Sequence, residues 1–82
     1  MAGVTTDALW REARELDLYM HVTSAARLRS DLRNEPDGAK FLELFDWRVM
    51  EVRKAIENYQ ALREAGYEVP FDLITMMRKE GL

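Results

Sequence analysis

The chain of 82 residues contains no cysteine and a single histidine. The absence of cysteine excludes disulfide bonds and thiolate-bound metals together. The four glycines are scattered at positions 3, 38, 66 and 81, so no glycine-rich phosphate loop can form. A chain this short has room for one domain with a small core. Oligomerisation is the remedy that this composition leaves open.

Long apolar runs and an excess of positive charge are also lacking. No segment approaches the roughly 18 apolar residues that a membrane span needs. The N-terminus lacks the basic and then apolar segments of a secretory signal, so we expect a cytoplasmic protein with no membrane partner. A net charge of -3 at pH 7 argues against a broad electrostatic attraction to nucleic acid or to anionic lipid.

What the chain does contain is 48% hydrophobic and 33% charged residues, a mixture typical of amphipathic folded helices. Proline and glycine divide it into a loose arm over residues 1–5 and three helices. We predict one all-α domain over residues 1–82, with helices at about 6–33, 38–65 and 70–79. Two long helices joined by a short loop pack as an antiparallel hairpin.

The first helix carries two apolar faces. At about 100° per residue, one stripe contains Leu9, Ala13, Leu16 and Met20. A second face, further along the helix, contains Leu18, Val22, Ala25, Leu28 and Leu32. One long helix can bury these faces against different neighbours, and we favour that interpretation. Alternatively the helix breaks near residues 21–24, where Thr23 and Ser24 lower helix propensity.

Helix ends are indicated by a few residues. Thr5 or Thr6 can cap the first helix. Before the second helix, the sequence around Pro36 forms a Pro-Asp-Gly turn, or Asn34 caps a helix that has Pro36 in its first turn. Gly66 follows the second helix as the residue that adopts a left-handed conformation.

The second helix has the clearest periodicity in the chain. Its apolar residues recur every three or four positions, which is typical of a coiled coil. They are Phe41, Phe45, Val49, Val52, Ile56 and Tyr59. We expect this stripe to be the buried face of the helix, ending near Arg63.

Two further apolar surfaces need a cover. Trp47 projects roughly 160° away from the stripe, with Met50 on the same side, so another helix covers it or it is a hot spot for a partner protein. The third segment, through Phe71, Ile74 and Met77, docks on its own chain, on a second subunit or on a different protein.

These surfaces exceed what one hairpin can bury. Two hairpins packed face to face would form a four-helix bundle, so the sequence predicts a homodimer. We expect a non-enzymatic protein–protein interaction module, acting as a small regulator, adaptor or accessory subunit. Its anchors would be the Trp47/Met50 pair and the third segment, with no cofactor, metal or catalytic residue.

Two other functional classes remain as alternatives. A basic cluster of Arg27, Arg29, Arg33 and Lys40 could bind nucleic acid, although acidic residues interrupt it. The predicted architecture is similar to that of helical chorismate mutases, intertwined dimers that hold a dicarboxylate with arginines. The arginines available for such a pocket are Arg11, Arg14, Arg27, Arg29 and Arg48. The lone His21 has Asp17 one helical turn before it, which could orient the ring.

Overall fold

The computed structural model describes residues 6–82 as three helices: α1 (Thr6–Arg33), α2 (Gly38–Glu64) and α3 (Phe71–Lys79). The two long helices pack as an antiparallel hairpin, and α3 lies along the groove between them. This confirms the predicted all-α hairpin with a short third helix. The described part of the chain measures 56 × 19 × 18 Å. The arm predicted for residues 1–5 and the Thr5 cap lie outside the described residues.

α1 is one continuous helix through residues 21–24, so the alternative of a break there is wrong. The turn after it ends at Asp37, whose side chain accepts hydrogen bonds from the backbone N–H groups of Ala39 and Lys40 at 2.9 and 3.2 Å. Asn34 does not cap α2, since its amide donates to the carbonyl of Ser30 at 3.0 Å. Because a proline disfavours helix in the residue before it, α2 cannot begin earlier.

The end of α2 has the geometry that its glycine predicts. Gly66 adopts a φ of +86°. The N–H of Tyr67 donates to the carbonyl of Leu62, and that of Gly66 donates to Arg63, both at 3.0 Å. This is a Schellman motif, which satisfies two carbonyls at the helix end and turns the chain back toward the hairpin.

The core is formed by one face of α1, the second half of α2 and the inner face of α3. Its buried apolar residues are Leu18, Val22, Ala25, Leu28, Ala55, Leu62, Val69, Leu73 and Met77. The second apolar face of α1 is therefore the buried one. The first stripe is exposed, with Leu16 at 59% of its full surface, because α2 and α3 both lie on the opposite side of α1.

The apolar stripe of α2 is not the seam of the hairpin. The residues of α2 that are fully buried are Ala55, Asn58 and Leu62, on a face rotated toward α1. Phe41, Phe45 and Val49 are exposed, whereas Val52, Ile56 and Tyr59 are half-buried. The expectation that the whole stripe is buried is wrong for its first half, because α3 has only nine residues and covers only the second half.

Replacing Gly66 by alanine should destabilise the fold by about 1 kcal/mol, since an L-residue is strained in the left-handed region. An added Cβ would meet no atom within 4 Å, so the cost comes from the backbone alone. The free energy of unfolding in urea measures it. Gly38→Ala is the matched control: Gly38 lies in the first turn of α2 at an ordinary φ, so alanine there should leave stability unchanged or raise it. Equal effects at the two positions would contradict this account.

Candidate protein-interaction surfaces

The first surface, the α1 stripe, consists of Leu9, Ala13, Leu16 and Met20. All four are exposed, and they lie on the side of α1 that faces away from α2 and α3. Their spacing of three and four residues places them in one line along the helix. No described residue covers this line, so α1 presents a second apolar face of about three helical turns.

The second surface, the α2 stripe, consists of Phe41, Phe45, Val49, Val52, Ile56 and Tyr59. Its first half is open, with Phe45 49% exposed. Leu42 lies beside it and is also exposed. The stripe therefore continues, without a change of direction along the helix, from an uncovered half into a half that α3 shelters.

A groove of about 380 Å³ lies between the second half of the α2 stripe and α3. It is lined by Ile56, Tyr59 and Gln60 of α2 and by Ile74, Met77 and Arg78 of α3. Most of its lining is apolar, and Arg78 supplies a positive charge at its rim. The volume and chemistry suit one or two apolar side chains of another helix.

Trp47 and Met50 form a third surface, on the far side of α2 from α3. Each is 55% exposed. The indole Nε1 of Trp47 donates to Glu51 at 3.2 Å, and its ring lines a cleft of about 210 Å³ with Arg27, Leu28 and other residues of α1. The third helix does not cover Trp47, so of the covers predicted for it, only another chain remains.

The three residues named in the third segment have different surroundings. Phe71 is 74% exposed at the first position of α3. Ile74 is half-buried beside the groove, and Met77 is buried in the core of its own chain. Of the predicted anchors, Met77 is thus unavailable to a partner in this fold, and Phe71 is the one that projects freely.

Glu80 fixes the end of α3, and sequence reasoning did not find it. Its side chain is only 3% exposed and accepts hydrogen bonds from Arg29 of α1 at 2.9 Å and from Arg48 of α2 at 3.2 Å. Arg48 also donates to the backbone carbonyl of Glu80 at 3.3 Å. One buried carboxylate therefore ties α3 to both long helices. No spacing rule links three residues so far apart in sequence.

The basic cluster proposed for nucleic acid is divided by this arrangement. Arg29 points to Glu80, whereas Arg27 lines the Trp47 cleft with Asp31. Arg33 and Lys40 lie at the two ends of the turn and are exposed. The four side chains do not form one continuous positive face.

The arginines considered for an enzyme pocket are likewise dispersed. Arg11 pairs with Glu15 at 2.9 Å, and its guanidinium lies over the ring of Tyr67. Arg14 donates to Asn58 at 3.1 Å and lies over the ring of Trp10. These two hold α1 against α2 and the chain after it, and Arg48 holds α3.

His21 lies between the long helices. Its Nδ1 is 2.5 Å from Oε2 of Glu51, so a residue of α2 orients the ring, and the expectation that Asp17 does so is wrong. The other carboxylate oxygen of Glu51 accepts from Trp47. Within residues 6–82, no group of three or more metal-binding side chains comes together.

None of the three described helices is both long and apolar enough to cross a membrane. Comparison of the chain with family models, with curated proteins and with solved structures found no match. The surfaces described above are therefore the basis for assigning a function.

Replacing Glu80 by glutamine should loosen α3. The amide keeps the shape of the side chain but removes the charge that two arginines share, and Arg48 is left half-buried without its counter-ion. We expect a loss of about 2 kcal/mol in the free energy of unfolding. Amide hydrogen exchange should become faster in α3 before it does in α1 or α2. Glu68→Gln, an exposed site with the same chemical change, is the control, and equal losses for both variants would refute the role of Glu80.

Proposed function

We propose that this protein is a non-enzymatic helical interaction module that works as a small regulator, adaptor or accessory subunit. The observation that carries the proposal is the number of large apolar side chains left uncovered. Eleven are exposed within residues 6–82, and most of them follow helical spacing. Single exposed apolar residues are ordinary, but aligned ones mark binding faces.

The chemistry of the surfaces supports helix recognition. The α1 stripe and the α2 stripe each offer apolar residues at intervals of three and four, the pattern that an amphipathic helix of a partner contacts. Trp47 lies in a shallow cleft with polar residues around it, as hot-spot residues do at interface centres. Met50 beside it has a flexible side chain that adapts to the shape of a partner.

The polar groups support the same assignment. Arg11, Arg14, Arg29 and Arg48 each contact a carboxylate, an amide or a ring of their own chain. Their guanidinium groups therefore hold the fold together and do not converge on a substrate-sized cavity. This arrangement favours a binding module over the enzyme alternative.

A photoreactive amino acid at position 50 should crosslink to a protein partner in cells that express the chain. The neighbouring Trp47→Ala variant should weaken the binding of that partner by about 30-fold or more, the loss typical of a hot spot. Both changes should leave the free energy of unfolding within about 1 kcal/mol, because the two side chains are exposed.

The matched control is the same photoreactive residue at position 79, where Lys79 is exposed near the end of α3. Crosslinking at position 50 that does not exceed that at position 79, together with the same result at Leu16 of the α1 stripe, would reject the proposed function.

A further inference from the structure

The open half of the α2 stripe is large enough to be a docking site. Phe41, Leu42, Phe45 and Val49 are exposed side by side. They present roughly 350 Å² of apolar surface, since a whole aromatic side chain presents about 150–250 Å². A contiguous patch of this size on a single chain is often functional.

The stripe and its neighbours form a seven-residue repeat. Its first positions are Leu42, Val49 and Ile56, and its fourth positions are Phe45, Val52 and Tyr59. Helices that carry this repeat pack against each other by inserting side chains between those of the facing helix. The repeat is three layers long, so it defines a register.

The repeat is complementary to itself when a second copy runs in the opposite direction. Val49 then faces the partner's Val52, next to a two-fold axis between them. In the same register, Phe45 meets the partner's Ile56, and Leu42 meets the partner's Tyr59. Each layer thus joins an exposed residue of one chain to a half-buried residue of the other, as a closed two-fold interface requires.

The groove beside α3 fits this register. Ile56 and Tyr59 form its α2 wall, and Ile74 and Met77 form its α3 wall. The partner's Phe45 would enter the groove at the layer of Ile56, and about 380 Å³ accommodates a phenyl ring. By symmetry, the partner's α3 would cover the half of the stripe that the chain's own α3 does not reach.

The charges at the solvent edge of the stripe are also complementary. Asp46 and Arg53 are both exposed, and neither takes part in an ion pair among the described residues. In the antiparallel register each Asp46 lies beside the partner's Arg53, which gives two ion pairs across the axis. The α1 stripe offers no such pairing, since the charged residues beside it, Glu12 and Asp17, are both acidic.

We propose that the occupant of the α2 stripe is a second copy of this chain, bound antiparallel with Val49 and Val52 at the two-fold axis. The proposal rests on the proposed function and names the partner of one of its surfaces. It leaves the α1 stripe and the Trp47 surface free on both copies.

The contact area predicts a reversible dimer. With the half-buried residues included, each chain would bury about 600 Å², at the low end of stable interfaces. We expect a dissociation constant on the order of 10 µM. Sedimentation equilibrium on the full chain should show a mass that rises with concentration from 9.6 kDa to twice that value. A monomer at concentrations far above this constant would overturn the proposal.

Charge reversal tests the register. Asp46→Arg places two arginines together, and Arg53→Asp places two aspartates together, so either change should raise the dissociation constant about tenfold. The double variant restores opposite charges and should return the constant to within about threefold of the original. Both sites are exposed and lie outside the core, so the fold tolerates them. Failure of the double variant to recover binding would overturn the register.

A pair of glutamate substitutions locates the interface. Val49→Glu should abolish the dimer, because it places two carboxylates near the axis. Leu16→Glu, a comparable change in the α1 stripe, should leave the dimer intact. The reverse result would assign dimerisation to α1 and overturn the proposal. Circular dichroism on each variant verifies that the helices remain.

Cysteine cross-linking tests the direction of the helices, and the chain has no native cysteine to interfere. A mixture of Leu42→Cys and Gln60→Cys chains should form the mixed disulfide in preference to either homodisulfide. Preferential linking of position 42 to itself would indicate parallel helices and overturn the proposal. A monomer that still crosslinks through position 50 would leave the proposed function standing, because Met50 lies on a different face.

Discussion

The carboxylate of Glu80 connects the end of α3 to both long helices, through Arg29 on one side and Arg48 on the other. Because that carboxylate is almost fully buried, its charge needs both guanidinium groups, and their positions determine where α3 stops. α3 therefore shelters the half of α2 that contains Ile56 and leaves the half that contains Phe45 open. The division of the α2 stripe into a covered and an uncovered part follows from this one buried ion pair.

A hairpin with a nine-residue third helix can enclose only a narrow core. The layer between α1 and α2 is formed partly by small and polar residues, such as Ala25, Ala55 and Asn58. Small residues let the helices approach closely, and the bond from Arg14 satisfies Asn58. The larger apolar side chains are displaced to the edges, where they stabilise the isolated chain little and remain available for contacts with another molecule.

The sequence predicted the helices better than their faces. Periodicity and turn chemistry were sufficient for the hairpin and for the left-handed Gly66, since these depend on neighbours within a few residues. Periodicity alone could not show which of two apolar faces is buried, because that depends on how α3 returns. The contacts of Glu80 and the pairing of His21 with Glu51 join residues distant in sequence, so no local pattern could indicate them.

The apolar surfaces face different directions, and this has a consequence for how they can be used. The α1 stripe lies opposite the core, the α2 stripe lies on the side of α3, and Trp47 lies on the far side of α2. A chain paired with its own copy through the α2 stripe would keep the other two surfaces accessible. Such a pair would present two copies of Trp47 to a partner, and a partner that contacts both would bind more tightly than one that contacts a single chain. Self-association would then strengthen partner binding without any change in the Trp47 contact itself.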